Sequence, residues 1–239
     1  MSEKHIKPIE RPKSLCDSAV ENIRSAIVQG IYELGEPLSE AMLVKSLGIS
    51  KTPIREALSI LKVEGLVSVI PQKGTFVFTM SSNEVAQLGN YRNALESTAL
   101  KMSLTSNAQI LGDQLLNICE QMEEARKKGE TRKYLELDGK FHSVMLNLCG
   151  NKFLQDGYKL VEGKIAALRT HLSAHPTHTE KSFHEHKQIA ELIIEGRIDE
   201  ANLILKKHIT RGERSYADKV KDIAEADKLA RANSRIKRA

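Results

Sequence analysis

Four side chains able to bind a cation recur in the second half of this sequence, each inside an otherwise apolar stripe. Asp138 and His142 lie four residues apart, so both point the same way on a helix, and Leu135, Met145 and Cys149 continue that face. His186 interrupts the run Phe183, Ala190, Ile193, and His208 follows Ala201 and Leu205 at helical spacing. Burying three imidazoles and a carboxylate without partners would be costly. For any one of these histidines a hydrogen-bonded structural role would meet that cost, and for all four groups together a divalent transition metal removes it. Neutral imidazole and carboxylate suit zinc foremost, with nickel, manganese and iron as alternatives, and four protein ligands can leave coordination positions open. The other histidines lack such company. His184 shares a face with Lys187, Gln188 and Glu191, and His171 stands beside Leu168 and Leu172 with no partner at metal spacing. His175 and His178 flank Pro176 in an expected loop, and His5 lies in the polar N-terminus.

Arg92 breaks a fourth stripe, formed by Val85, Leu88, Leu95, Ala99 and Met102. A guanidinium stays charged at any working pH, so a buried Arg92 needs an anion. Glu96, one turn away, is one candidate, and the carboxylate of a small bound ligand is the other. Spacing alone leaves both open.

A second kind of chemistry is written in the stretch GISKTPIREALSILKVEGLV. Ile54, Ala57, Leu58 and Leu61 share one helical face, and Lys51, Thr52, Arg55 and Ser59 occupy the opposite one. Thr52 is expected to cap this helix, with Pro53 at its first position. A helix N-terminus preceded by Ser50 and Lys51 is electropositive and suits phosphate. Arg55, one turn in, can reach the O6 and N7 acceptors of guanine in a major groove. Downstream, LVSVIPQKGTFVF reads as two short strands turning through Pro71 to Gly74. There Gly74 permits close approach to a backbone, and Lys73 can touch phosphate or the minor groove.

These residues need elements to hold them. SLCDSAVENIRSAIVQG places Leu15, Ala19, Ile23, Ala26 and Ile27 on a helical face that ends at Gly30, and SEAMLVKSLG is a shorter helix between Ser39 and Gly48. With the cationic helix (about Pro53 to Glu64) and the hairpin, residues 12–79 read as a winged helix-turn-helix. Five of the six prolines fall at or before Pro71, so the remainder can run as long helices. After a linker at 80–83, helices are expected at about 84–104, 108–128, 131–149, 153–173, 178–195 and 198–226, followed by a basic tail at 227–239. The fold class is therefore mainly α: a winged helix-turn-helix, then an all-helical bundle.

Bulk properties agree but discriminate poorly. The 239 residues carry a formal charge of +5, yet residues 1–80 hold ten Lys and Arg against nine Asp and Glu. The excess sits after Lys206, so net charge is weak evidence for nucleic acid. The N-terminus lacks the apolar core of a signal peptide, no apolar run is long enough to cross a bilayer, and three scattered cysteines form no CxxC pair. A cytoplasmic protein with reduced thiols and no membrane contact is the expectation.

The run LSEAMLVKSLGISKTPIREALSILKVEGLV, with QKGTFV after it, resembles the N-terminal domain of the GntR family of bacterial transcription regulators over about residues 15–79. Residues 84–220 are similar to the helical FCD domain of the FadR-like subgroup. Its Asp-x-x-x-His, His and His metal motif matches Asp138, His142, His186 and His208, and its first-helix arginine matches Arg92 within YRNALE. The resemblance implies a homodimer on double-stranded operator DNA, more readily a repressor than an activator, that responds to a small carboxylic acid placed on the metal and paired with Arg92. Two rivals stand beside it: a metal-dependent enzyme fused to a DNA-binding domain, and a DNA binder whose metal is only structural. No second acid/base and no nucleophile motif supports the enzyme.

Overall fold

A computed structural model describes residues 13–172 and 176–236. His5, His175 and the last three tail residues lie outside them. Helix α1 (Leu15–Val28) starts where Ser14 Oγ accepts from the Asp17 amide, and it buries Ala19, Val20, Ile23 and Ile27. Helix α2 (Glu40–Leu47) ends at Gly48, whose φ of 66° suits a glycine cap. Helix α3 (Lys51–Val63) buries Ile54, Ala57, Leu58 and Leu61, the face expected from spacing. Its start differs from expectation: Ser50 occupies the cap, without a side-chain cap hydrogen bond, and Thr52 and Pro53 lie inside the first turn. The first amides of a helix have no intrahelical acceptor, so the donor missing from proline is as harmless at the third position as at the first.

Strands β1 (Val67–Ile70) and β2 (Gly74–Val77) pair antiparallel, with Ile70 opposite Gly74. The turn closes through the Lys73 amide on the Ile70 carbonyl at 3.0 Å. Backbone at Gly74 has φ of 112°, a conformation open to glycine and strained for other residues. A bridge from Pro37 to Phe76 ties the segment before α2 to the outer edge of β2.

The bundle begins with α4 (Ser82–Lys127), opened by a capping box between Ser81 and Glu84. This helix runs unbroken through the point near residues 105–107 where two helices were expected. No proline interrupts it, and Thr98, Ser103 and Thr105 turn their hydroxyls onto carbonyls four residues back, so polar residues that read as a loop fit the helix. Next come α5 (Thr131–Leu148), α6 (Lys152–Leu172), α7 (Pro176–Ile194) and α8 (Ile198–Ile236). Proline opens α7 in place of the expected loop around His178. Helix α8 continues past 226 through most of the expected tail, because neither glycine nor proline follows Gly212 to stop it. The central α4 packs against α5, α7 and α8.

Helix α6 docks the bundle onto the N-terminal domain. It packs on α1, with His171 Nε2 3.2 Å from the Ile27 carbonyl oxygen. Gly163 admits Leu66, whose Cδ1 would be 3.0 Å from a Cβ at that position. Beside this contact lies a cleft of about 1100 Å³ lined by Arg24, Val28, Leu66, Leu135, Tyr158 and Arg169, among others.

Candidate metal centre and nucleic-acid interface

The apolar stripes bring three of the sequence-predicted ligands, His142, His186 and His208, into one group, with Asp138 beside it. Helix α5 supplies Asp138 and His142, α7 supplies His186 and α8 supplies His208, all four buried. Candidate ligand atoms of the three histidines lie within 4.8 Å of one another, so together they could hold a metal ion. The Nε2 atoms of His142 and His186 are 3.3 Å apart.

Carboxylates set the orientation of two of these rings. His142 Nδ1 lies 2.7 Å from Glu96 Oε2, and His208 Nδ1 lies 2.8 Å from Glu185 Oε2. Each contact leaves Nε2 for the shared centre, the arrangement that fixes a metal-binding tautomer. Burial pushes the His142 and His186 imidazoles well below their ordinary pKa, and nearby positive charge from Arg92 and His208, respectively, adds to the effect. Neutral rings are the ligating form. The donor set therefore fits a divalent transition metal.

Asp138 stands beside the histidine group. Its Oδ1 is 3.8 Å from His186 Nε2, and its Oδ2 accepts from Arg169 Nε at 2.5 Å. Burial alone would raise this carboxyl, but nearby positive charge, the Arg169 guanidinium foremost, holds it below the usual range, so it is ionised. Glu185 is likewise held down at about 2: burial opposes the shift, and bonds from His208 and Arg211 outweigh it.

Arg92 is 3% exposed, and Glu96, at 0%, is its first partner, accepting from Nε at 2.5 Å. Glu213 Oε1 lies 3.5 Å from Nη1, while Nη2 has no hydrogen-bond partner in the protein. Of the two anions considered for Arg92, the internal one is in place, yet it does not use all the donors.

Sequence reading missed Glu185, Glu213 and the Asp138–Arg169 pair, along with the link from Glu96 to His142. Glu96 was visible as a neighbour of Arg92. Its second contact crosses from α4 to α5, and Glu185 meets His208 across α7 and α8, so neither follows from spacing within one helix. The buried phenols of Tyr158 and Tyr216 complete the polar interior, and desolvation pushes both above their ordinary pKa.

The other candidate residues lie at the surface. Ser50, Lys51, Thr52 and Arg55 are exposed at the start of α3, and Lys73 and Gly74 are exposed at the hairpin tip. Arg55 Nε donates to both oxygens of Glu40 on α2, at 2.9 and 3.1 Å. Both Nη groups are left for a phosphate or a guanine edge.

Residues 15–77 match the gntR family of bacterial regulatory proteins, and residues 87–211 match the FCD domain. The chain belongs to the GntR family, with an FCD domain. It is thus a DNA-binding transcriptional regulator of the GntR/FCD type. An HTH-type transcriptional regulator from an unstable DNA locus of Streptomyces ambofaciens is 29% identical over 177 residues, covering 73% of either chain. The HTH-type transcriptional repressor RspR of Escherichia coli K12 is 22% identical over 204 residues, 85% of each. In fold, the regulator resembles a GntR protein from Rhodococcus sp. RHA1, with a TM-score of 0.76 at 18% identity over 85% of this chain and 98% of that one. No helix among the described residues is long and apolar enough to cross a membrane.

Proposed function

We propose that this GntR regulator is a repressor whose affinity for operator DNA is set by a small organic acid bound in the FCD bundle. Three buried histidines converging beside an arginine with an unused donor carry the reading. His142, His186 and His208, with Asp138, would hold a divalent metal, zinc foremost, whose charge would attract a carboxylate. Arg92 Nη2 would hold the acid from the other side.

Two copies related by a two-fold axis would set their α3 helices into successive major grooves, with Lys51, Thr52 and Arg55 on phosphates and bases and Lys73 and Gly74 on the flanking backbone. Helix α6 is the route between the two functions. Its Arg169 touches Asp138, and two residues on, His171 meets the end of α1. An acid shifts DNA affinity only by binding the DNA-free and DNA-bound arrangements unequally, and a coupling of about 1–3 kcal/mol gives a 5- to 150-fold response.

The test is operator binding by the metal-replete protein, titrated with a panel of small carboxylic acids. At least one acid should weaken binding by about fivefold or more, and Arg92→Ala should abolish that response. His208→Ala should lose bound metal by elemental analysis. A panel in which no acid alters operator affinity would refute the sensor reading.

A further inference from the structure

Two unpartnered polar atoms belong to one pair of touching residues at the centre of the bundle. Arg92 of α4 and Glu213 of α8 are 3% and 5% exposed, and their nearer atoms stand 3.5 Å apart. The outer atom of each, Arg92 Nη2 and Glu213 Oε2, has no hydrogen-bond partner in the protein. Buried polar groups are almost always bonded, so a neighbouring unmatched donor and acceptor are exceptional. The chain also makes room for the glutamate. A Cβ at position 89 would lie 2.4 Å from Glu213 Cγ, and Gly89 stands in the interior of α4, where glycine is a poor helix former.

The geometry points to Glu213 as the residue that selects the effector, its unpartnered carboxylate oxygen accepting from a hydroxyl of the acid whose carboxylate Arg92 holds. This rests on the acid-sensing reading above and narrows the class to hydroxylated monocarboxylic acids. Charge supports the narrowing. With a divalent cation at the histidines, it and the guanidinia of Arg92 and Arg169 would face the carboxylates of Asp138, Glu96 and Glu213, the last with its pKa raised by burial against the pull of Arg92, while Glu185 and Arg211 offset each other. One positive charge remains, and a single carboxylate ends it. A second carboxylate on the ligand would meet Glu213 with like charge, and an ammonium would restore an unbalanced charge to a dry interior. A hydroxyl supplies the donor and adds no charge.

The experiment uses the metal-replete full chain and matched acids that differ only by a hydroxyl: glycolate with acetate, and lactate and 3-hydroxypropionate with propionate. Affinities are measured by calorimetry and checked by thermal shift. In at least one pair the hydroxy acid should bind about 10- to 100-fold more tightly, the worth of one bond to a charged group. Glu213→Leu should bring that ratio to about one, whatever it does to the affinity for either acid alone. Glu213→Gln keeps an acceptor of the same size without the charge, and it should reduce the ratio by about threefold or more even if the leucine variant does not fold. Equal binding within every pair, or an unchanged ratio in Glu213→Gln, overturns the role of Glu213 while leaving the acid sensor standing. If neither kind of acid binds, the sensor itself falls, and Glu213's role falls with it.

Discussion

Arg55 and Arg92 each rest against a glutamate, at 2.9 and 2.5 Å, and there the likeness ends. The Arg55 side chain is 64% exposed, and its partner Glu40 comes from the neighbouring short helix. Water screens this pair, so it adds little to stability, and the arginine can exchange its carboxylate for a phosphate or a base at small cost. Arg92 and Glu96 have no water to fall back on. Glu96 also orients His142, and Arg92 also meets Glu213, so each charge in the bundle is held by several others. One half of the regulator can therefore be disarmed without unfolding. In the other half, chemistry and folding cannot be separated so cleanly.

The most severe way to break this contrast is Glu96→Leu, which leaves Arg92 without its main counter-ion and His142 without its orienting acceptor. Urea unfolding should show a loss of about 3–5 kcal/mol, with metal affinity down about 10- to 100-fold. A variant that unfolds like the wild type would mean that the buried network is dispensable. Chelation comes next. When free metal stands at about 100 times its dissociation constant, removing it should lower stability by about 2.7 kcal/mol. That difference should vanish in His142→Ala.

Gly74→Ala should cost about 1–3 kcal/mol through backbone strain, since nothing lies within 4 Å of the added carbon. The accompanying loss of operator affinity would sharpen the assignment of the hairpin tip, whereas unchanged DNA binding would remove that tip from the interface. Arg55→Ala should have the smallest effect on stability, within about 0.5 kcal/mol. It should nonetheless weaken specific DNA binding by about 1–3 kcal/mol, read as an operator-to-random-DNA ratio. A large drop in melting temperature would show that the surface pair is structural after all.

What the sequence made legible follows the same division. The face of α3, the hairpin and the four polar interruptions are local periodic patterns, and each stripe is buried or partly buried as spacing required. Ser50 replaced Thr52 as the cap because proline fits several places in a first turn. The merger of two expected helices into α4 was hidden by Ser and Thr, which break helices in one context and bond back onto them in another. The remainder of the site was illegible for a different reason. Glu185, Glu213 and Arg169 touch their partners across helix boundaries, and no spacing within one segment encodes which helices become neighbours. Gly89, an unremarkable letter in the sequence, acquires meaning only once Glu213 is seen lying over it.

The continuity of α4 has a consequence for the length of the chain. Its 46 residues carry Arg92 and Glu96 near one end and Leu111, Leu115 and Met122, all buried, near the other. With no loop between them to absorb a change, deleting a single residue at Thr105 would swing everything beyond it by about 100° and slide it by about 1.5 Å. Insertions and deletions in this stretch should be far less tolerated than substitutions, whatever the chemistry of the residue removed.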